Sequence, residues 1–549
     1  MPRELETYTG EEIRIHDDRG ICSHAGYCTD GLPRVFRQGK EPWIDPNGAT
    51  IEEIIETIRK CPSGALSYTV NGQKHDEFSD FEGIHLREDG PYVVRGNIEL
   101  HSDDHPQTMD HYSLCRCGKS KNKPFCNGEH WYEGFEDKGR VEQDFMEKYV
   151  REELSFDNRY KMVKHLAETG ETLNSSMRTL ESFPDFKALM FKGAQLNRMP
   201  VNEDTAVNLQ TVIGKKAKKP LKLSIPFYVS HMSFGAISEE AKIALAEGSA
   251  LMDTAMCSGE GGMLPESRTA AKHYIYELGT AASTHDEASI KKADAVELKI
   301  GQGVKPGLGG HLPGHKVTEK IAKIRNLAPG EESSAPGRFA GVDNLRDLDK
   351  KVQWIREIAD GVPVGIKIST GDLEADLACA LAVEPDFITI DCRGGATGSS
   401  PKILKDNVGI PPIFAIRRAR TLLDQMNSEV TLCATGGFRD SADIAKGLAL
   451  GADAVALATA SLISIGCIQA RICHTGNCPA GITTQDETYR ALFNKKEGVR
   501  KFVSFYSATA KELAMFARTN GKRDIHQLNV DDLMTINNEV SLNTDIPHV

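Results

Sequence analysis

Between Leu221 and Gln485 the chain alternates short apolar runs with helical stretches, and the last run leads directly into three cysteines. The runs fall at residues 227–233, 254–259, 295–301, 364–369, 387–392, 430–437 and 454–459, and several end in Gly-rich or polar turns. Strands alternating with helices call for a parallel sheet. Seven or eight such units over this length fit a closed (β/α)8 TIM-type barrel better than an open sheet, so the fold class is α/β. The stretch Gly451 to Gly466 reads as a buried strand, a turn and the start of a helix. It is followed by Cys467, Cys473 and Cys478 with Pro479 behind them. Thiolates at that density suit an iron–sulfur cluster better than a lone metal ion, and three ligands favour [3Fe–4S].

Cysteine usage extends this reading. The 549 residues hold 13 cysteines, and the first residues are acidic and polar, unlike a secretory signal or transit peptide. That combination points to metal ligation rather than disulfides and to a cytoplasmic protein. Nine cysteines fall in three groups: Cys22/Cys28/Cys61, Cys115/Cys117/Cys126 and Cys467/Cys473/Cys478. Cys257, Cys379, Cys392 and Cys433 are scattered among apolar neighbours and are expected to be small core residues. A net charge of −12 leaves no basic footprint for nucleic acid or an anionic membrane. The apolar run from Ala454 to Ala470 is accounted for by a strand and a helix start, so no membrane span is expected.

Residues 1–75 read as one compact unit, with an amphipathic helix near 51–60 between Cys28 and Cys61. A polar linker follows at 71–80. A small β-rich unit spans 81–137, with strand-like 92–94 and 97–100. Residues 140–215 are expected to form a helical connector, 216–490 the barrel with its cysteine segment, and 491–549 terminal helices. In the second unit Cys115, Cys117, Cys126 and His130 can hold a [2Fe–2S] cluster, with zinc as the competing occupant. In the first, Cys22, Cys28 and Cys61-Pro62 leave Ala25 where a further cysteine would complete a CxxCxxC run. A cluster there would be [3Fe–4S], or [4Fe–4S] with a non-cysteine ligand for which His24 is a candidate; a zinc site or free thiols are the alternative. A solvent-facing His24 competes with that reading. For His474, between the barrel ligands, a surface position is expected.

In the barrel, Gly436-Gly437, Ala458-Thr459 and Gly395 with Thr397 stand after successive strands. Backbone N–H groups at such turns suit a phosphate, and glycine lets the main chain approach a ligand closely. Cations gather at the same ends: Arg268, Lys299, Lys305 and Lys367. Lys299 and Lys367 sit inside apolar strands, which suits a dry pocket holding a carboxylate or a reduced flavin ring. Glu260 is the candidate acid/base group, with turn stabilisation as the alternative. The glycines at 301, 303 and 307 are out of register for a dinucleotide fingerprint, so NAD(P)H is not expected on this chain.

Three resemblances follow from these motifs. Residues 115–130, with Ser120, Pro124 and Gly128, resemble the CDGSH iron–sulfur domain. Asn127 and Glu129 depart from that pattern without removing a ligand, and the resemblance implies [2Fe–2S]. Residues 22–65 resemble the divergent mono-cluster ferredoxins. Residues from about 220 to 490 resemble the FMN-binding synthase domain of glutamate synthase. That match runs through Met232-SFGAIS, Ser258-GEGG, Lys299-IGQGVKPG, Thr397-GSSP, Ala434-TGGF and the Cys467–Gln485 segment. It implies FMN and a [3Fe–4S] cluster. It implies a cofactor site at Met232, Ser233, Gly235, Lys367, Gly395, Thr397, Gly436, Gly437, Ala458 and Thr459. Lys299, Gln302 and Lys305 would line the substrate side, joined by Arg268.

The implied chemistry is reduction of 2-iminoglutarate, formed from 2-oxoglutarate and ammonia, to glutamate. A ferredoxin-like donor or the chain's own clusters would supply the electrons. Departures at residues 281–285, Leu308, His311, Ala396 and Ala458 touch the substrate more than the flavin. Two iron–sulfur modules stand where the family carries a glutamine amidotransferase, so a separate amidotransferase or other subunit is an expected partner. Competing readings are an electron-transfer or redox-sensing flavoprotein without turnover, and a dehydrogenase of an N-substituted amino acid. Homo-oligomerisation is left open.

Overall fold

The computed structural model describes residues 5–75, 83–96, 98–101, 111–137 and 160–549. The chain divides into two compact units, Met1–Lys161 and Met162–Val549. Of the linker expected at 71–80, Gln73–His75 is instead a strand and 76–80 lie outside the described residues, as do the 81–82 start of the second module, Asn97, and the 140–159 part of the connector.

The first unit holds two small sheets. Strands Leu5–Thr9, Ile13–Asp18, Leu66–Val70 and Gln73–His75 form an antiparallel sheet in chain order. Helix Ile51–Arg59 starts at a capping box in which Thr50 and Glu53 satisfy each other's backbone N–H groups. It buries Ile54 and Ile58 against Ile15, Val35, Phe36 and Ile44. The second sheet pairs Gly83–Leu86, Tyr92–Arg95 and His111–Leu114. Residues 98–100, expected as a strand, are not one. The chain turns at Gly96, whose φ is +90, and His111–Leu114 takes the neighbouring place instead. The carbonyl of Ile98 accepts the Tyr112 hydroxyl at 3.0 Å.

The second unit is the barrel. Eight parallel strands close on themselves: Phe227–Val229, Ala255–Cys257, His273–Leu278, Ala295–Lys299, Val364–Ser369, Phe387–Asp391, Thr431–Thr435 and Ala454–Leu457. His273–Leu278 is the strand missing from the sequence reading. Its HYIYEL lacks an aliphatic run because Glu277 faces the polar interior described below. The register sets Glu277 opposite Glu297 and Lys299 opposite Lys367.

Helix Glu239–Leu251 packs on the long helix Lys495–Thr519. Gly248 makes that possible, since a Cβ there would lie 2.8 Å from Phe502 Cγ. Beyond Thr519 the chain is mainly irregular, with a short strand Leu533–Thr535 and a helix Asn538–Asn543, rather than a run of helices. Among the described residues of the connector, the α-helix is Tyr160–Thr169, with one 3-10 turn at Phe186–Ala188. From 170 to 215 it is largely irregular, interrupted by Gly170, Pro184, Gly193 and Pro200. Cys257, Cys392 and Cys433 are buried as expected, whereas Cys379 is exposed on the outer face of helix Leu373–Leu381. Among the described residues no helix is long and apolar enough to cross a membrane.

Candidate functional site

The carboxyl ends of the barrel strands enclose a cavity of about 340 Å³, within the size range of small-molecule sites. The floor is ionic. Glu277, Glu297 and Lys367 are all at most 3% exposed. Lys367 Nζ lies 3.4 Å from Glu277 and 3.7 Å from Asp391. His231 Nδ1 is 3.2 Å from Glu277, and its Nε2 is 2.8 Å from Glu297. Burial opposes the charge on Glu277, but His231, Lys367 and Lys299 hold its pKa down to about 2. Burial also opposes the charge on Lys367, and Glu277, Asp391 and Glu297 overcome it and raise its pKa. The ligand atoms of His231, Glu277 and Glu297 lie within 4.8 Å of one another. The Lys367 ammonium supplies a fixed positive charge beside these carboxylates. Lys242 braces this floor from outside, donating to the carbonyls of Met232 at 2.8 Å, Cys257 at 3.2 Å and Ser258 at 2.7 Å.

One wall is made of glycine turns. Gly436 has φ +94, and a Cβ on it would sit 2.5 Å from the Cys392 carbonyl oxygen. A Cβ on Gly394 would lie 2.5 Å from the Gly437 Cα. Gly395, Thr397, Gly436, Gly437, Ala458 and Thr459 all line the cavity, as do Met232, Ser233 and Lys367. Helix Thr459–Ser464 begins at Ala458 with no side-chain cap, so its first N–H groups have no side chain competing for them. Close-packed turns, uncapped donors and a buried ammonium fit a flavin phosphate and ring. Gly235 does not join them: its O accepts Gln485 Nε2 at 3.1 Å, and a Cβ on it would meet Leu312 at 2.7 Å. It is a turn glycine behind the wall.

The rest of the lining includes a carboxylate and several cations. Glu260 is ion-paired with Lys299, which stands behind it, and Gln302 and Lys305 line the cavity. Gly310 leaves room for the carboxylate, since a Cβ there would be 2.8 Å from Glu260 Cδ. Burial and the neighbouring Lys299 push the Lys305 pKa down to about 8.

Arg325, absent from the sequence reading, also lines the cavity at 8% exposure. It donates to Phe234 O at 3.0 Å and to Ser333 Oγ at 3.1 Å. Its Nε has no hydrogen-bond partner among the described residues. A buried guanidinium with an unused donor is suited to an anion. Only its place in the helical pattern EKIAKIR stood in the sequence, and that pattern gives no sign that helix Glu319–Arg325 ends at the pocket.

Arg268 is elsewhere. It sits in the last turn of helix Pro265–Ala270, donates to Lys292 O at 2.7 Å and pairs with Asp294 at 3.2 Å, just before strand Ala295–Lys299 begins. The helix carries it back to the opposite rim of the barrel from the strand ends that form the cavity.

Cys467 and Cys473 line the same cavity, and Cys478 is buried beside them. Burial raises the Cys467 pKa, and the neighbouring Cys473 and Cys478 add to it. Lys316 Nζ donates to Cys473 O at 2.5 Å and Thr483 O at 3.2 Å, which pins the loop. His474, expected at the surface, is half-buried and lies 2.8 Å from Ser176 Oγ through Nδ1. In the first unit, burial and Cys61 together raise the pKa of Cys22 to about 12 and of Cys28 to about 11. Cys115 and Cys117 sulfurs are 3.9 Å apart, and Cys126 Sγ is 3.3 Å from His130 Nδ1. Convergent thiols, joined in one set by an imidazole nitrogen, fit iron–sulfur clusters at all three places.

Comparison with known proteins agrees. The model of the conserved region in glutamate synthase matches residues 157–523. A divergent 4Fe-4S mono-cluster model matches residues 8–71, and the CDGSH-type iron-binding model matches 89–131. A glutamate synthase large subunit-like protein of Rhizobium meliloti is 33% identical over 409 residues, covering 70% of this chain and 92% of that one. An archaeal-type glutamate synthase [NADPH] of Thermotoga maritima is 34% identical over 351 residues, covering 62% of this chain and 68% of that one. The chain belongs to the glutamate synthase family and is an iron–sulfur flavoprotein oxidoreductase of that type.

Proposed function

We propose that this protein reduces the imine formed from a small 2-oxo acid and ammonia, 2-oxoglutarate first among them, to the L-amino acid. Electrons enter through the iron–sulfur clusters and reach the barrel cavity. FMN, when bound there, supplies the hydride for the C=N carbon. The chain's own residues do the rest. Arg325 and the Lys305 ammonium bind the carboxylate. Glu260 passes a proton to the imine nitrogen from the Lys299 ammonium paired with it, and that pairing keeps the carboxylate oriented toward the cavity. The ionic floor fixes Lys367 beneath the flavin wall.

One observation carries this reading: a single cavity is lined by the cluster cysteines Cys467 and Cys473, by the glycine turns, and by Glu260, Lys305 and Arg325. The Thermotoga relative is named for NADPH. For this chain a ferredoxin-type carrier is the assigned donor, because two cluster modules are built into it. An external amidotransferase subunit or free ammonium supplies the nitrogen, and the setting is the cytoplasm.

The test is anaerobic titration of the reconstituted full-length protein with L-glutamate and a panel of amino acids, following the flavin absorbance. Bleaching by one of them, with release of its 2-oxo acid and ammonia, is expected. If dithionite bleaches the flavin and no amino acid does, the protein is an electron carrier instead.

A further inference from the structure

The two cysteine sites of the first unit are about 50 residues or more apart in sequence, yet their ligand loops are packed on one another. Ile21 and Ala65, which flank Cys22 and follow Cys61, share one buried cluster with Val94, Tyr112 and Phe125. Phe125 directly precedes Cys126, and Cys22, Cys61 and Leu114 lie against the edge of the same cluster. Ser113 Oγ donates to Pro62 O at 2.9 Å. Asn122 Nδ2 donates to Gly20 O. Finally His24, held at φ +52, lays its ring on Gly128, where a Cβ would come 2.9 Å from the His24 Cγ. The ring is therefore turned toward the second ligand loop, away from a role as ligand to the first cluster.

Each contact joins a ligand loop of one site to a ligand loop of the other. Pro62 follows Cys61, and Ser113 is two residues from Cys115. His24 is two residues from Cys22, and Gly128 is two from both Cys126 and His130. Two residues of chain span at most about 7 Å. The path from Cys61 through Pro62 and Ser113 to Cys115 contains a single non-covalent step, the 2.9 Å hydrogen bond. Tunnelling falls steeply with the gap and is favoured by covalent and hydrogen-bonded paths over open space. The side chains filling this gap, Ile21, Tyr112 and Phe125, are at most 2% exposed.

We propose that the cluster on Cys22, Cys28 and Cys61 and the cluster on Cys115, Cys117, Cys126 and His130 form one relay and exchange electrons directly. The Ser113–Pro62 and His24–Gly128 contacts hold the gap. In each step one cluster is oxidised by one electron and the other is reduced by it, with no bond made or broken. The relay is independent of what the barrel reduces. His24 and Ser113 are positioning residues in it.

The test is electron paramagnetic resonance of the dithionite-reduced full-length protein, in which the reduced first cluster is paramagnetic as either [3Fe–4S] or [4Fe–4S]. The [2Fe–2S] signal is expected to relax faster, and to saturate at higher microwave power, than in Cys28→Ser, which lacks the first cluster by iron analysis. The double variant His24→Ala/Ser113→Ala is expected to lose several-fold of that enhancement while keeping both clusters. Should Cys28→Ser not fold, a redox titration of the parent protein serves the same end: the saturation of the [2Fe–2S] signal shifts as the first cluster titrates. Saturation that is identical with the first cluster present, absent or in either redox state overturns the relay. An unchanged double variant overturns the role of the two contacts.

Discussion

At Glu260 two requirements meet, since an acid/base group must reach the substrate and must be held still. Its partner Lys299 is 4% exposed and Gly310 clears the space in front of it. Glu260→Gln keeps the shape and removes the carboxylate that would move the proton. It is expected to lower kcat by about 10²–10⁴-fold, the usual contribution of a positioned acid or base, while flavin content stays at the parent level. Steady-state kinetics with flavin quantitation checks this.

Lys305 gives a pH signature. Its pKa is depressed to about 8 by burial and Lys299, so the ammonium proposed to bind the carboxylate is present below that pH and lost above it. kcat/KM is expected to fall as pH rises through about 8, and Lys305→Met is expected to remove that limb while weakening binding at lower pH. A pH profile of kcat/KM for both proteins decides it. Arg325, a guanidinium, keeps its charge throughout and contributes no limb in this range.

The glycine turns do their work as elements rather than as single residues. Gly436 and Gly394 let two strand-end turns close on each other, and only at that separation can both backbones face one ligand. Gly436→Ala would set a Cβ 2.5 Å from the Cys392 carbonyl oxygen at a φ of +94. The strain is about 1–3 kcal/mol, and the turn must open. Flavin bound per polypeptide is expected to fall sharply while iron at the 467–478 loop is retained, because Lys316 and Ser176 anchor that loop independently. Parallel flavin and iron assays of the variant test this.

Elements also explain what the sequence concealed. Seven barrel strands stood out as apolar runs. The strand at His273–Leu278 did not, because Tyr, His and Glu interrupt the run where Glu277 faces an ionic interior. Arg268 follows the Ser258-GEGG segment closely and so looked like a pocket residue, yet one short helix returned it to the far rim. Arg325 is remote from every motif in sequence and arrives at the cavity only because helix Glu319–Arg325 ends there.

Across the chain, the cysteine groups and the glycine turns were readable because metal ligation and close backbone approach demand those residue types. The interior cations and acids were readable only in part. Lys299 and Lys367 broke apolar strands and stood out, whereas His231, Glu277 and Glu297 gained meaning only once the barrel closed and paired them.

The proposed function is that of a protein that collects electrons one at a time at iron–sulfur clusters and uses them in pairs at a flavin. The decisive measurement is a single turnover. The full-length protein is reduced under anaerobic conditions, freed of excess reductant, and mixed with 2-oxoglutarate and ammonium while flavin absorbance and amino-acid formation are followed. Recovery of the oxidised flavin spectrum, matched by glutamate formed in proportion to the electrons stored, is predicted. A flavin that stays reduced with 2-oxoglutarate and every other 2-oxo acid offered, with no amino acid formed, would contradict it.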